Sequence, residues 1–181
     1  SARIAAVDIA SVNGRAFINT SSIGVYPRLV LEREGYRRSG LTRGISVAAA
    51  AVSTLREFRP VYLRLCTAER EWDGFTPFVF VGNNEYSIQG SRIGSRARLD
   101  SGKLWVCTAF ESTRLGFLNF AAKAWLGHAI GDPDFHALST TELWVDSNPP
   151  RLFVSLDGEV EQMPTPLRFA IHPRALEVVV P

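Results

Sequence analysis

The segment best equipped for chemistry is Val154-Ser155-Leu156-Asp157-Gly158-Glu159-Val160, where a strand-like run delivers two carboxylates on either side of a glycine. At the period-2 spacing of a strand, Asp157 and Glu159 are expected on the same side, as a paired acid site. Paired carboxylates suit general-base work, or holding Mg²⁺ against a phosphate. The alternative is an ordinary Asp-Gly hairpin turn with solvated acids. A second group is cationic: Arg92, Arg96 and Arg98 crowd the stretch just before Asp100-Ser101-Gly102-Lys103. One or two of them could meet a phosphate or an anionic headgroup, and a solvated basic loop is the alternative. A second cluster, Arg33, Arg37, Arg38 and Arg43, is interleaved with Glu32 and Glu34, which suits local salt bridging. Asn19, Asn83 and Asn84 fall at strand-to-turn transitions, where an amide can bond a substrate hydroxyl or satisfy the backbone of the turn.

Other chemistries find no support. His128, His136 and His172 are scattered without a paired nucleophile, which argues against a hydrolase triad. Cys66 and Cys107 each sit alone in apolar segments, with neither a Cys-x-x-Cys partner nor a nearby histidine. They read as buried free thiols of a reducing compartment rather than zinc ligands. The formal net charge is only +2, which argues against a nucleic-acid surface. With 181 residues and 46% hydrophobic content, the chain can bury a sizeable core as one globular domain or two small ones. No run approaches the roughly 20 apolar residues that span a bilayer. The single methionine is Met163, and Arg3 to Asp8 reads like the middle of a domain, so the chain is expected to be part of a longer protein.

The elements that must position these residues are mostly strands. Arg3 to Ile9 and Arg15 to Thr20 flank an Asn13-Gly14 turn signal and predict an opening hairpin, with Gly24 and Pro27 breaking the second strand. Leu29 to Arg38 predicts a short helix, and Thr42 to Phe58 a longer one ended by Pro60. Val61 to Cys66 alternates as a half-buried strand, Thr76 to Gly82 reads as a continuous apolar strand, and Leu104 to Phe110 as another. Ser91 to Gly102 reads as a loop. Ser112 is placed to cap a helix running to about Leu126. Phe117, Phe120 and Trp125 on that helix suit either a membrane interface or a cover for the sheets. Thr140 to Val145, Arg151 to Leu156, Leu167 to Ile171 and Leu176 to Val180 complete the strands. The expected fold is mainly β: a β-sandwich decorated with two to three helices.

The order of the motifs carries a family resemblance. Phe17-Ile18-Asn19 with Gly24, then Phe78-Val79-Phe80-Val81-Gly82-Asn83-Asn84-Glu85-Tyr86, then Leu99-Asp100-Ser101-Gly102-Lys103-Leu104, precede Leu156-Asp157-Gly158-Glu159 and a closing Pro173-Arg174-Ala175-Leu176 run. From about Val7 to Pro181 this resembles the C-terminal β-sandwich domain of the diacylglycerol kinase catalytic family, bacterial lipid kinases related to sphingosine kinases. The resemblance implies a two-domain enzyme with its active site between the domains. The N-terminal domain would carry a Gly-Gly-Asp-Gly-Thr loop for nucleotide phosphates. The isolated Gly14, Gly24 and Gly94 form no such loop, so that half is expected in cis, outside this chain.

By the same resemblance Glu159 is the proton acceptor and Asp157 its acidic neighbour. Asn19, Asn83, Asn84 and Arg96 would face the cleft. ATP and Mg²⁺ are the implied cofactors, with a lipid alcohol as substrate, peripheral contact at the inner membrane face and no nucleic-acid partner. A regulatory metal in related kinases uses an aspartate of an Asn-Asp-Gly sequence and flanking backbone carbonyls. The aspartate position falls here on Ser101, with Asp100 beside it and Arg98 and Lys103 at the carbonyl positions. Two other functions stay open: a non-catalytic lipid- or sugar-binding sandwich, and an NAD kinase-like phosphotransferase.

Overall fold

The computed structural model describes residues 3–25, 27, 30–31, 58–87, 95–110, 113–125 and 135–180. They form two six-stranded antiparallel sheets packed face to face. The opening hairpin is β1 (Arg3–Val12) and β2 (Arg15–Phe17), turned at Asn13 and Gly14, whose φ angles of 47° and 79° are those a two-residue hairpin requires. After β3 (Thr20–Gly24) come β4 (Val61–Cys66), β5 (Glu71–Thr76), β6 (Phe78–Asn83) and β7 (Leu104–Ala109). A helix, α1 (Arg114–Trp125), precedes β8 (Phe135–Thr140), β9 (Glu142–Ser147), β10 (Arg151–Leu156), β11 (Glu159–Pro164) and β12 (Leu167–Val180). One sheet runs β2-β1-β12-β9-β4-β5 and the other β11-β10-β3-β6-β7-β8.

Alternation explains the core. In β4, Leu63 and Leu65 point inward while Tyr62 and Arg64 face out; Leu143 and Val145 of β9 do the same beside them. Val79, Val81, Leu104 and Val106 answer from the second sheet. Phe17 meets Phe169 edge to face across 6.4 Å. β7 is buried on both faces because the outer side of its sheet is also covered. Phe120 of α1 packs on Phe78 and Phe135, and Tyr86 folds back over Phe80 and Trp105. Phe117 lies against Phe58. Phe117 and Phe120 therefore serve the helical cover, and among the described residues the large apolar side chains exposed on α1 are Leu115 and Leu118. No helix among the described residues is long and apolar enough to cross a membrane.

Several sequence expectations shift in detail. Thr113 caps the helix, its Oγ1 accepting the Gly116 N–H at 3.1 Å; the expected cap, Ser112, lies outside the described residues. The run Thr76 to Gly82 is two strands: Thr76 closes β5, Pro77 turns the chain, and β6 begins at Phe78. The last two expected strands are one, β12, which passes through Pro173 as a bulge. Val7 faces Leu176 and Ile9 faces His172, so Pro173, Arg174 and Ala175 all stand opposite Asp8. The expected helices at Leu29 to Arg38 and Thr42 to Phe58 lie almost wholly outside the described residues.

Both thiols are free, as expected, but only Cys107 is buried; Cys66, at the end of β4, is half-buried. Burial pushes the Cys107 thiol up to about 12, so its thiolate fraction at pH 8 is on the order of 10⁻⁴. Iodoacetamide at pH 8 should leave Cys107 unlabelled in the folded chain and label it fully in guanidinium. Labelling of native Cys107 at the rate of a free peptide thiol would contradict its burial within β7.

Candidate active site

At one end of the sandwich the β10–β11 hairpin turns through Asp157 and Gly158, with φ of 49° and 94°. Both are turn residues, so strand alternation does not carry across them and the expected side-by-side acid pair does not follow. The Asp157 carboxylate instead turns onto the connection between β2 and β3. Its Oδ2 accepts the Ile18 N–H at 2.7 Å, and its Oδ1 accepts those of Asn19 and Thr20 at 2.8 and 2.9 Å. The Asp157 N–H closes the contact by donating to the Thr20 carbonyl at 2.8 Å. Three charge-assisted bonds from consecutive backbone amides make this acid a clamp. Glu159 opens β11 opposite Leu156 and is exposed. Among the described residues its carboxylate has no hydrogen-bond or ion-pair partner.

The clamped connection is gripped from its other side too. Asn83 Nδ2 donates to the Ile18 carbonyl at 2.8 Å and to the Asp8 carbonyl at 2.9 Å, and its N–H donates to the Asn19 carbonyl. Arg96 donates through one terminal nitrogen to the Ile18 and Asn83 carbonyls and through the other to Asn19 Oδ1 at 2.8 Å. The Tyr86 hydroxyl donates to the Asn19 carbonyl, and Arg96 lies over the Tyr86 ring. Burial pushes the Tyr86 phenol above its ordinary value, which keeps this donor protonated at neutral pH.

The expected site residues are thus brought to one end of the molecule, but their parts differ from the expectation. Asn83 and Asn84 are 1% and 0% exposed, so neither amide faces a cleft. Asn83 is a backbone staple, and Asn84 Oδ1 accepts both the N–H and the hydroxyl of Ser101, at 2.8 and 2.6 Å. Arg96 has both terminal nitrogens on protein oxygens and braces the loop. Asn19 remains exposed at the surface of the clamped connection.

The suggested metal ligands do not fit a divalent cation, which needs free carboxylate and carbonyl oxygens around it. The Asp100 carboxylate is paired with Arg98 at 3.1 Å, and that guanidinium holds it below the usual carboxylate range. Ser101 offers only a hydroxyl, already donated to Asn84. The Lys103 carbonyl accepts the Asn84 N–H at 3.1 Å. Among the described residues no group of three or more His, Cys, Asp or Glu side chains is placed to hold a metal.

One residue escaped the sequence reading. Asp8 is 2% exposed, yet it receives the Gly102 N–H on Oδ2 at 2.7 Å and the Arg174 N–H on Oδ1 at 2.9 Å, while its own N–H donates to the Leu99 carbonyl. It ties the β12 bulge to the 99–102 loop and, through Asn83, to the clamped connection. Its position two residues before inward-facing Ala10 and Val12 was the available signal, because an acid in the buried register of a strand must be bonded. Beside this network a cavity of about 480 Å³ opens between Glu85, Tyr86, Arg96, Arg98 and Ser101.

Comparison with known proteins agrees with this architecture. A family model described as the YegS C-terminal NAD kinase beta sandwich-like domain matches residues 33–180. A solved structure from Bacillus anthracis str. Sterne, provisionally described as a diacylglycerol kinase, superposes with a TM-score of 0.65 at 18% identity, covering 97% of this chain and 56% of its own. Another from the same organism, described as a diacylglycerol kinase, gives 0.56 at 14% identity, covering 97% of this chain and 53% of its own. At these identities the likeness is one of fold. The chain spans little more than half the length of the structures it matches.

Proposed function

Because the chain belongs to the YegS C-terminal, NAD kinase β-sandwich-like domain family, we propose that it is the acid-bearing half of an ATP-dependent lipid kinase that phosphorylates diacylglycerol or a similar lipid alcohol. The observation that carries this reading is the division of labour at the hairpin. Asp157 is fixed on three backbone amides, and Glu159, two residues on, is left exposed and unpaired among the described residues. A base needs a free carboxylate on a rigid support, and the clamped turn supplies both.

In the proposed reaction the Glu159 carboxylate accepts the proton of the lipid hydroxyl as that oxygen attacks the γ-phosphorus of ATP, and ADP departs. Mg²⁺, if brought with the nucleotide, would supply charge neutralisation on the transferring phosphoryl group. Asp157, Asn83, Arg96 and Tyr86 are positioning residues, holding the connection against which the turn is set. Nucleotide phosphates are held mainly by the part of the enzyme outside this chain. Leu115 and Leu118, 80% and 45% exposed on α1, offer apolar contact to a lipid surface in a peripheral, inner-face setting.

The NAD kinase likeness in the family's own description favours a second reading, in which the acceptor is a nucleotide hydroxyl. Full-length protein supplied with radiolabelled ATP and either diacylglycerol in mixed micelles or NAD separates the two. Label in the lipid is the expected result. Label only in NAD supports the second reading, and label in neither points to a non-catalytic lipid- or sugar-binding sandwich.

A further inference from the structure

The 98–103 stretch lacks the donor set for a metal and yet is fully tied. Arg98 Nε lies 3.1 Å from Asp100 Oδ1, and a terminal guanidinium nitrogen lies 3.4 Å from Oδ2. Asn84, itself in a left-handed conformation with φ of 70°, spans the loop from inside. Its Oδ1 takes both donors of Ser101, and its N–H reaches the Lys103 carbonyl. Asp8 takes the Gly102 N–H and donates to Leu99. Every residue from Arg98 to Lys103 is therefore held by a protein group.

We propose that Arg98 and Asn84 are a built-in replacement for a divalent cation, so that this loop is ordered by the protein's own charge and amide and needs no metal. Arg98 neutralises Asp100, the carboxylate a cation would otherwise be drawn to. Asn84 ties Ser101 to Lys103 with the oxygen and the N–H of one residue, in place of a shared ion. Ser101 decides between the two solutions. Its hydroxyl donates to Asn84 Oδ1 at 2.6 Å. A carboxylate at that position would confront the same oxygen, acceptor against acceptor; a cation between them relieves this, whereas turning the Asn84 amide round would set its Nδ2 donor against the Ser101 N–H. The inference rests on the loop geometry and holds whichever acceptor the kinase uses.

Mn²⁺ titration followed by electron paramagnetic resonance, with thermal unfolding in EDTA and in Mg²⁺, tests it on the wild-type chain, Ser101→Asp and Asp100→Asn. Wild type should bind no Mn²⁺ below about 1 mM and melt at the same temperature in EDTA and in ~10 mM Mg²⁺. Ser101→Asp should bind Mn²⁺ and gain about 2–4 °C in Mg²⁺ over EDTA. Sub-millimolar Mn²⁺ binding by wild type that is lost in Asp100→Asn would overturn the proposal. So would a Ser101→Asp variant as indifferent to metal as wild type. If that variant does not fold, the wild-type titration alone decides.

Discussion

Asp157→Ala is expected to cost about 3–5 kcal/mol of stability, an unusually large penalty for a residue at a hairpin tip. The substitution strips the acceptor from three backbone N–H groups at 2.7, 2.8 and 2.9 Å. Hydrogen bonds to a charged group are worth about 1.5–3 kcal/mol each, and sharing one carboxylate makes the three less than additive. Alanine also inherits a φ of 49°, which an L side chain other than Asn or Asp adopts at a cost of about 1–2 kcal/mol. Asp157→Asn separates the parts. It keeps the turn preference and one acceptor oxygen, but faces the Ile18 N–H with an amide donor, so its loss should be about half that of alanine. Urea denaturation of the three proteins measures the series. Equal midpoints for wild type and Asp157→Ala would mean that the 18–20 amides are as well served by water.

Gly24→Ala should be more damaging still. A Cβ at Gly24 would lie 2.1 Å from the Pro77 carbonyl oxygen and 2.9 Å from its carbon, and both belong to backbone. That carbonyl accepts the Val25 N–H at 2.8 Å, so relief requires separating β3 from the start of β6 in the middle of their sheet. With φ of +98° added, a loss above about 4 kcal/mol is expected, enough to leave the chain insoluble. Gly158 supplies the control. Its φ is +94°, but nothing lies within 4 Å of the added Cβ. Gly158→Ala should therefore cost only the conformational part, about 1–2 kcal/mol. Similar melting temperatures for the two variants would show that the close approach at Pro77 relaxes easily.

What the sequence made legible follows from where each strand lies. Central strands such as Val61–Cys66 and Arg151–Leu156 were read to the residue, because burial forces alternation or a continuous apolar run. Three strands it did not reveal, β5, β8 and β11, lie at sheet edges, while central β3 was hidden because the run Arg15 to Thr20 reads as one strand where the chain in fact leaves β2 of one sheet and enters β3 of the other. Glu71-Trp72-Asp73-Gly74 in β5 and Glu159-Val160-Glu161-Gln162 in β11 carry the charge that an edge tolerates, and so resemble loop. Pro173 suggested a break where β12 in fact bulges around Asp8, since a bulge releases proline from the ladder.

The site was legible as a set and less so in its roles. Motif order brought Asn19, Asn83, Asn84, Asp157 and Glu159 together, and Arg96 came from the cationic stretch before Asp100, while which side chains are buried depends on contacts between segments far apart in the chain. Asn83 meets Asp8 across 75 positions and Asp157 meets Ile18 across 139, pairings that no local spacing encodes. For the same reason Asp8, an acid inside an apolar run, shows none of its partners in the sequence.

In the proposed enzyme Glu159 acts on the substrate while Asp157 acts on the fold. Steady-state lipid phosphorylation by the full-length protein, with Glu159→Gln compared to wild type at matched thermal stability, tests it most directly. A fall in kcat of at least about 100-fold with an unchanged melting temperature is expected, since a positioned general base contributes about 10²–10⁴. A Glu159→Gln enzyme that stays within about threefold of wild type would contradict it.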